Sequence, residues 1–191
     1  LGSAVIMLGL VAIAVSPYRV KRGRRLKEYC IIRGAASLAF QSGNTLSNID
    51  KKVEMADQER LVNSFCEMVQ IDSPSDEEED VARHLVDRLE GLGFQVARDA
   101  HGNVIASEEG GQPLLLSAHM DTVEPGRGIK PRIQGDRIVS DGTTILGGDC
   151  KAGVAAILEG LQSIKDEGLT RCPVQVVFTR GEEIGLIGRS E

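Results

Sequence analysis

Five side chains of this sequence have the types and spacing that chemistry needs: His119, Asp121, Asp149, Glu182 and Glu183. The apolar run "LLLSAH" (114–119) ends at one of only three histidines, and an aspartate follows two positions later. In extended backbone, residues two apart point the same way, so Asp121 can lie beside the His119 ring. A ligating imidazole usually gives its second N–H to a carboxylate, which suits His119 to a cation and Asp121 to orienting it. "TTILGGDCKAGVAA" sets Asp149 after two glycines and before a helix of small residues. A carboxylate there can bridge two cations with its two oxygens. "VVFTRGEEIG" leaves two adjacent carboxylates at the end of an apolar run, where they repel each other and lose solvation. Neighbouring residues cannot both face one atom, so two roles are natural: Glu183 on a metal, Glu182 on a proton. Taken singly, each segment has an ordinary reading as a capping histidine, an N-cap aspartate or an acidic helix start. Together, an imidazole and several carboxylates form the donor set of hydrolytic zinc sites.

The elements that must position them are legible from periodicity. Leu61, Val62, Phe65, Met68 and Val69 share a helical face, as do Val81, Leu85, Leu89 and Leu92. Ser75 stands three residues before Glu78, a capping-box spacing, and Gly91 or Gly93 can end the second helix. "QVARDA" and "NVIASE" read as strands around a His101-Gly102-Asn103 turn. "PLLLSAH" suits a strand buried on both faces, and "PVQVVFTRGEE" a second buried strand. "RIQGDRIVSDG" reads as an edge hairpin. "AGVAAILEGLQSIKD" is a helix with Val154, Ile157, Leu158 and Leu161 inward, and "IGLIGRSE" opens another. Strands alternating with helices predict an α/β fold, a mixed and largely parallel sheet flanked by helices. Ligands in such sheets sit beyond the carboxyl ends of the strands, where these acids and the histidine fall.

Composition narrows the function. Of 191 residues, 1–54 carry a net charge of +6 and the remainder −12. An acidic body argues against a nucleic-acid partner. Cys30, Cys66, Cys150 and Cys172 form no CxxC pair, so neither a thiolate zinc site nor a disulfide framework is signalled. A reducing, cytoplasmic setting is the expectation. Residues 1–25 join a short apolar stretch to a basic cluster. The stretch is short of the roughly 20 residues a membrane span needs. We read 1–54 as an N-terminal extension, either upstream sequence before a start at Met55 or a weak anchor plus linker. Residues 55–191 are read as the N-terminal part of a catalytic domain. The HExxH, GxSxG, P-loop and GxGxxG signatures are all missing. His84, Lys151 and Cys172 read as a surface histidine, a solvated helix lysine and a strand filler.

"LSAHMDTV" (116–123), "DGTTILGGDCKAG" (141–153) and "FTRGEEIG" (178–185), in this order and spacing, closely resemble the peptidase T branch of the M20 metallopeptidases. These are zinc exopeptidases related to aminoacylases, deacetylases and glutamate-releasing carboxypeptidases. The resemblance covers about residues 55–191. It implies two zinc ions, with His119 on one, Asp149 bridging both and Glu183 on the second. It also implies Glu182 as general base, Asp121 in support of His119, and a cis peptide bond between Asp149 and Cys150. The family usually has a second acid where this chain has Cys150, which we expect to tune the site. Two further ligands and a smaller lid and dimerisation domain would fall beyond Glu191. The chain as given is therefore expected to be an incomplete, inactive N-terminal fragment. The implied activity is removal of the N-terminal residue of short peptides, and the resemblance admits a homodimer for the complete form. Alternatives are an N-acyl amino acid deacylase or carboxypeptidase with the same chemistry, a non-catalytic ligand-binding relative, or a membrane-tethered form.

Overall fold

The structure, a computed structural model, describes residues 56–185. Readings that concern residues 1–55, and most of the helix expected from Ile184, lie outside the described residues.

Helix α1 (Gln58–Val69) begins where the Asp57 side chain accepts a hydrogen bond from the Arg60 N–H, and it buries Phe65, Met68 and Val69. Helix α2 (Glu79–Leu92) buries Val81, Ala82, Leu85 and Leu89 and ends at Gly93, whose φ of 99° is open to glycine. Apart from Ala82, each such side chain contributes about 1.5–3 kcal/mol on leaving water. The expected capping box is not formed. Glu78 itself holds the N-cap position, and no side chain caps the helix. The reason is tertiary: the Ser75 hydroxyl and the Glu78 carboxylate are both taken by distant partners described below.

Strands β1 (Gln95–Arg98) and β2 (Val104–Ser107) form an antiparallel hairpin. Its turn is held by Asp99, whose Oδ1 accepts the N–H groups of His101 and Asn103. Strand β3 (Leu114–His119) leads through a separate hairpin, β4 (Arg132–Gln134) with β5 (Arg137–Val139), to helix α3 (Gly148–Asp166). Strand β6 (Val174–Thr179) then returns between β2 and β3, giving the order β1-β2-β6-β3. The sheet is mixed, as expected. Among the described residues its β3–β6 ladder is parallel and its other two are antiparallel, a smaller parallel share than the alternation suggested. Among the described residues the β4–β5 hairpin pairs only with itself, not at the edge of the main sheet.

Register stacks Val104, Phe178 and Ala118 in one row and Ala106, Val176 and Leu116 in the next, all buried on one face. Helix α2 lies against β1 and β2, α3 against β3, and α1 against α3. β3 corrects a second expectation. Leu115 is 40% exposed and Ser117 is exposed, so the described residues cover only one face of this strand. Among the described residues β3 is an edge strand, and α3 packs against it. No helix of the described residues is long and apolar enough to cross a membrane.

A candidate metal centre at the ends of β3 and β6

Because β3 and β6 are parallel and His119 pairs with Thr179, both strands release their chains at the same edge. His119 closes β3, and Arg180, Gly181, Glu182 and Glu183 follow β6 directly. Helix α3 brings Asp149 to the same place. Its first residues, Asp149 and Cys150, have non-helical dihedrals, and the peptide bond between them is cis, as the resemblance implied.

Asp121 is 0% exposed, and its carboxylate is fully engaged. Oδ1 accepts the Glu182 N–H at 3.0 Å, while Oδ2 accepts the Glu183 N–H at 3.0 Å and the Ser75 hydroxyl at 2.7 Å. Oδ1 also lies 3.3 Å from His119 Nδ1. Burial opposes ionisation, but the imidazole, the hydroxyl and the two amides win and hold this carboxyl far below the usual range. One aspartate thus orients the histidine and fastens the turn that carries both glutamates.

His119 Nδ1 faces Asp121, at 3.1 Å from its carbonyl oxygen, and Nε2 faces Asp149 Oδ1 at 3.3 Å. Burial disfavours a charged ring, yet hydrogen bonding and attraction to Asp121 and then Asp149 raise its pKa to about 9. Donor atoms of His119, Glu182 and Glu183 lie within 4.8 Å of one another, and so do those of His119, Asp149 and Cys150. The histidine is common to both groups. Burial raises the Glu183 carboxyl; His119 works against this, while Glu182, Asp149 and Asp121 add to it. Carboxylates that repel one another around an imidazole with one nitrogen already committed suit a divalent cation. All five side chains expected at the site are therefore brought to one edge, Asp121 behind the ring and the others before it.

Several neighbours differ from expectation. Lys151 is only 1% exposed and donates from Nζ to the Ile71 carbonyl at 2.8 Å, which ties the start of α3 to the end of α1. Burial pushes its pKa down to about 8 against the pull of Asp72. His84 is half-buried and not on the surface, and burial lowers its pKa. Cys172 is exposed ahead of β6. Cys150 is half-buried, its thiol pKa raised by that burial, and Gly153 makes room for it: a Cβ on Gly153 would stand 2.9 Å from the sulfur. Ser75 and Glu78 were missed as site residues, because their spacing matches an ordinary helix start and nothing local marks a partner across the fold.

Residues 115–190 match the model of peptidase family M20/M25/M40. The Bacillus subtilis protein YqjE is 37% identical over 145 residues, 70% of this chain and 39% of its own length. A crystallised tripeptidase from Staphylococcus aureus is 41% identical with a TM-score of 0.68, and the aminopeptidase PepT of Bacillus cereus is 40% identical with a TM-score of 0.67. Each of these two matches also covers 70% of this chain and 39% of the other. The chain thus spans about 39% of the length of these relatives. Three motifs at one strand edge and a family match over the same residues agree: this chain carries a peptidase family M20 segment, similar to peptidase T and tripeptidases.

Proposed function

We propose that this protein is a zinc-dependent exopeptidase that removes the N-terminal residue of short peptides in the cytoplasm. His119, Asp149 and Glu183 would hold the metal. Zinc, when bound, would lower the pKa of a water molecule and polarise the scissile carbonyl. Glu182 would take the proton of the attacking water and return it to the leaving amine, as a general base and then acid. Asp121 would keep the Nδ1 proton of His119 in place, leaving Nε2 free to ligate. The observation that carries this reading is that His119 gathers with Asp149 on one hand and with Glu182 and Glu183 on the other at one edge, with Asp121 fully engaged behind the ring. Support for peptides as substrates comes from the tripeptidase and the aminopeptidase PepT among the similar structures.

Zinc titration of the chain by calorimetry tests the site. Wild type and E182Q should bind with affinities within a few-fold of each other, and H119A should lose at least a hundredfold. In the native-length protein, E182Q should abolish tripeptide hydrolysis while zinc content survives. Near-normal turnover by E182Q would remove Glu182 from its role. Cleavage of N-acyl amino acids in place of tripeptides would redirect the assignment to a deacylase.

A further inference from the structure

We propose that the segment between α1 and α2, through Glu78 and Ser75, is the positioning element that sets the Glu182–Glu183 pair against His119. Three observations converge on it. First, the segment runs beside the extension of β3: Thr122 donates its N–H to the Ser73 carbonyl, the Ser73 hydroxyl donates to the Met120 carbonyl, and Pro74 bridges Thr122. It is thereby fixed to the residues on either side of Asp121. Second, the Ser75 hydroxyl donates to Asp121 Oδ2, the oxygen that also accepts the Glu183 N–H.

Third, Glu78 is a carboxylate only 2% exposed, and both its oxygens go to the residues just before the acid pair. Oε2 accepts from Arg180 Nε at 2.9 Å and Oε1 from the Gly181 N–H at 3.0 Å. Arg180 is held further by the Asp76 carbonyl and carboxylate, and its own N–H donates to Asn103 Oδ1. The turn that bears Glu182 and Glu183 is therefore gripped at two successive points, Gly181 by Glu78 and the glutamate amides by Asp121. A buried carboxylate is costly unless its oxygens are satisfied, and here the satisfaction is spent on a turn and not on the helix that Glu78 begins. The hydrogen bonds of the Glu78 carboxylate go to Arg180 and to the Gly181 N–H, so it acts through the backbone that aims the acid pair.

The site this frame serves rests on the metal reading above, but the frame itself can be read without metal. Gln at position 78 keeps the shape and offers one acceptor oxygen, with an NH2 group facing a donor that needs an acceptor. In E78Q, amide hydrogen exchange followed by NMR should speed up at least tenfold at Gly181, Glu182 and Glu183. The amides of Leu116 in β3 and Val176 in β6 should be unchanged. Zinc affinity should fall about 10–100-fold, the usual effect of losing a group that orients ligands. S75A should speed exchange at Glu182 and Glu183 but not at Gly181, and it decides the matter if E78Q does not fold. Unchanged exchange at 181–183 in folded E78Q, or an equal loss of protection throughout the sheet, overturns the proposal. So does S75A with wild-type exchange at Glu182 and Glu183. If wild type binds no zinc, the metal reading fails, and the exchange pattern still judges the frame.

Discussion

Asp121 shows how one residue serves two ends. Its carboxylate neutralises the buried His119 ring and accepts the amides of the glutamate turn. D121N keeps the volume but replaces one acceptor oxygen with a donor facing donors. His119 should then titrate well below its present value of about 9, towards the ordinary histidine range, as followed by ring NMR shifts. An unmoved titration would mean that Asp149 alone raises the ring. Zinc must also compete with the proton on His119 in wild type, so affinity should climb with pH up to and beyond about 9, where the ring is half deprotonated. A zinc affinity that does not vary between pH 6 and 9 would contradict this. The pairing of His119 with Asp121 was legible from strand alternation. The two amides and the Ser75 hydroxyl on the same carboxylate were not, because they come from residues 46 to 62 positions away.

Among the elements, α3 carries the most. Its buried stripe of Val154, Ile157, Leu158 and Leu161 followed from helical spacing. Its attachments did not. Glu159, 3% exposed, faces α1 and accepts from Arg60 Nε at 2.7 Å, from the Asp57 N–H and from the Ser163 hydroxyl. R60A leaves that carboxylate short of its cation. Arg60 is one-third exposed, so we expect a loss of about 2–3 kcal/mol in urea unfolding, below the fully buried case. A change under about 0.5 kcal/mol would show the pair to be dispensable. At the other end of α3, G153A should cost about 1–3 kcal/mol because its methyl would meet the Cys150 sulfur at 2.9 Å. C150A should relieve most of that cost, and a double-mutant cycle measures it. Strictly additive effects would place the strain elsewhere. No periodicity encodes either contact, since Glu159 has the sequence appearance of any solvated helix acid.

For the whole molecule, acid stability follows from the carboxylates that folding engages. Burial works against ionised Glu159, but Arg60, Ser163 and the Asp57 amide outweigh it and lower its pKa. Glu108 is lowered chiefly by its bidentate pair with Arg171, with burial opposing and the Val174 amide assisting. A group whose pKa is lower folded than unfolded stabilises the fold above its unfolded value of about 4.5. That stabilisation is lost as pH falls through the folded value. The share of thermal stability that these two carboxylates supply should accordingly decline below about pH 4.5. E159Q should flatten part of that decline, and an identical profile in E159Q would exclude Glu159 as a contributor.

The α/β class, the inward faces of all three helices, the β1–β2 hairpin and the chemical character of His119, Asp121, Asp149, Glu182 and Glu183 were determined by the sequence itself. Helical and strand periodicities are set by near neighbours along the chain. Tertiary structure alone decided that Ser75 and Glu78 leave the helix start to hold the glutamate turn and that Lys151 and Glu159 are buried. Glu78 and Gly181 are 103 positions apart, and Arg60 and Glu159 are 99. A polar side chain takes its partner from whatever the closed fold brings within about 3 Å, and that proximity exists only once the sheet and helices are assembled.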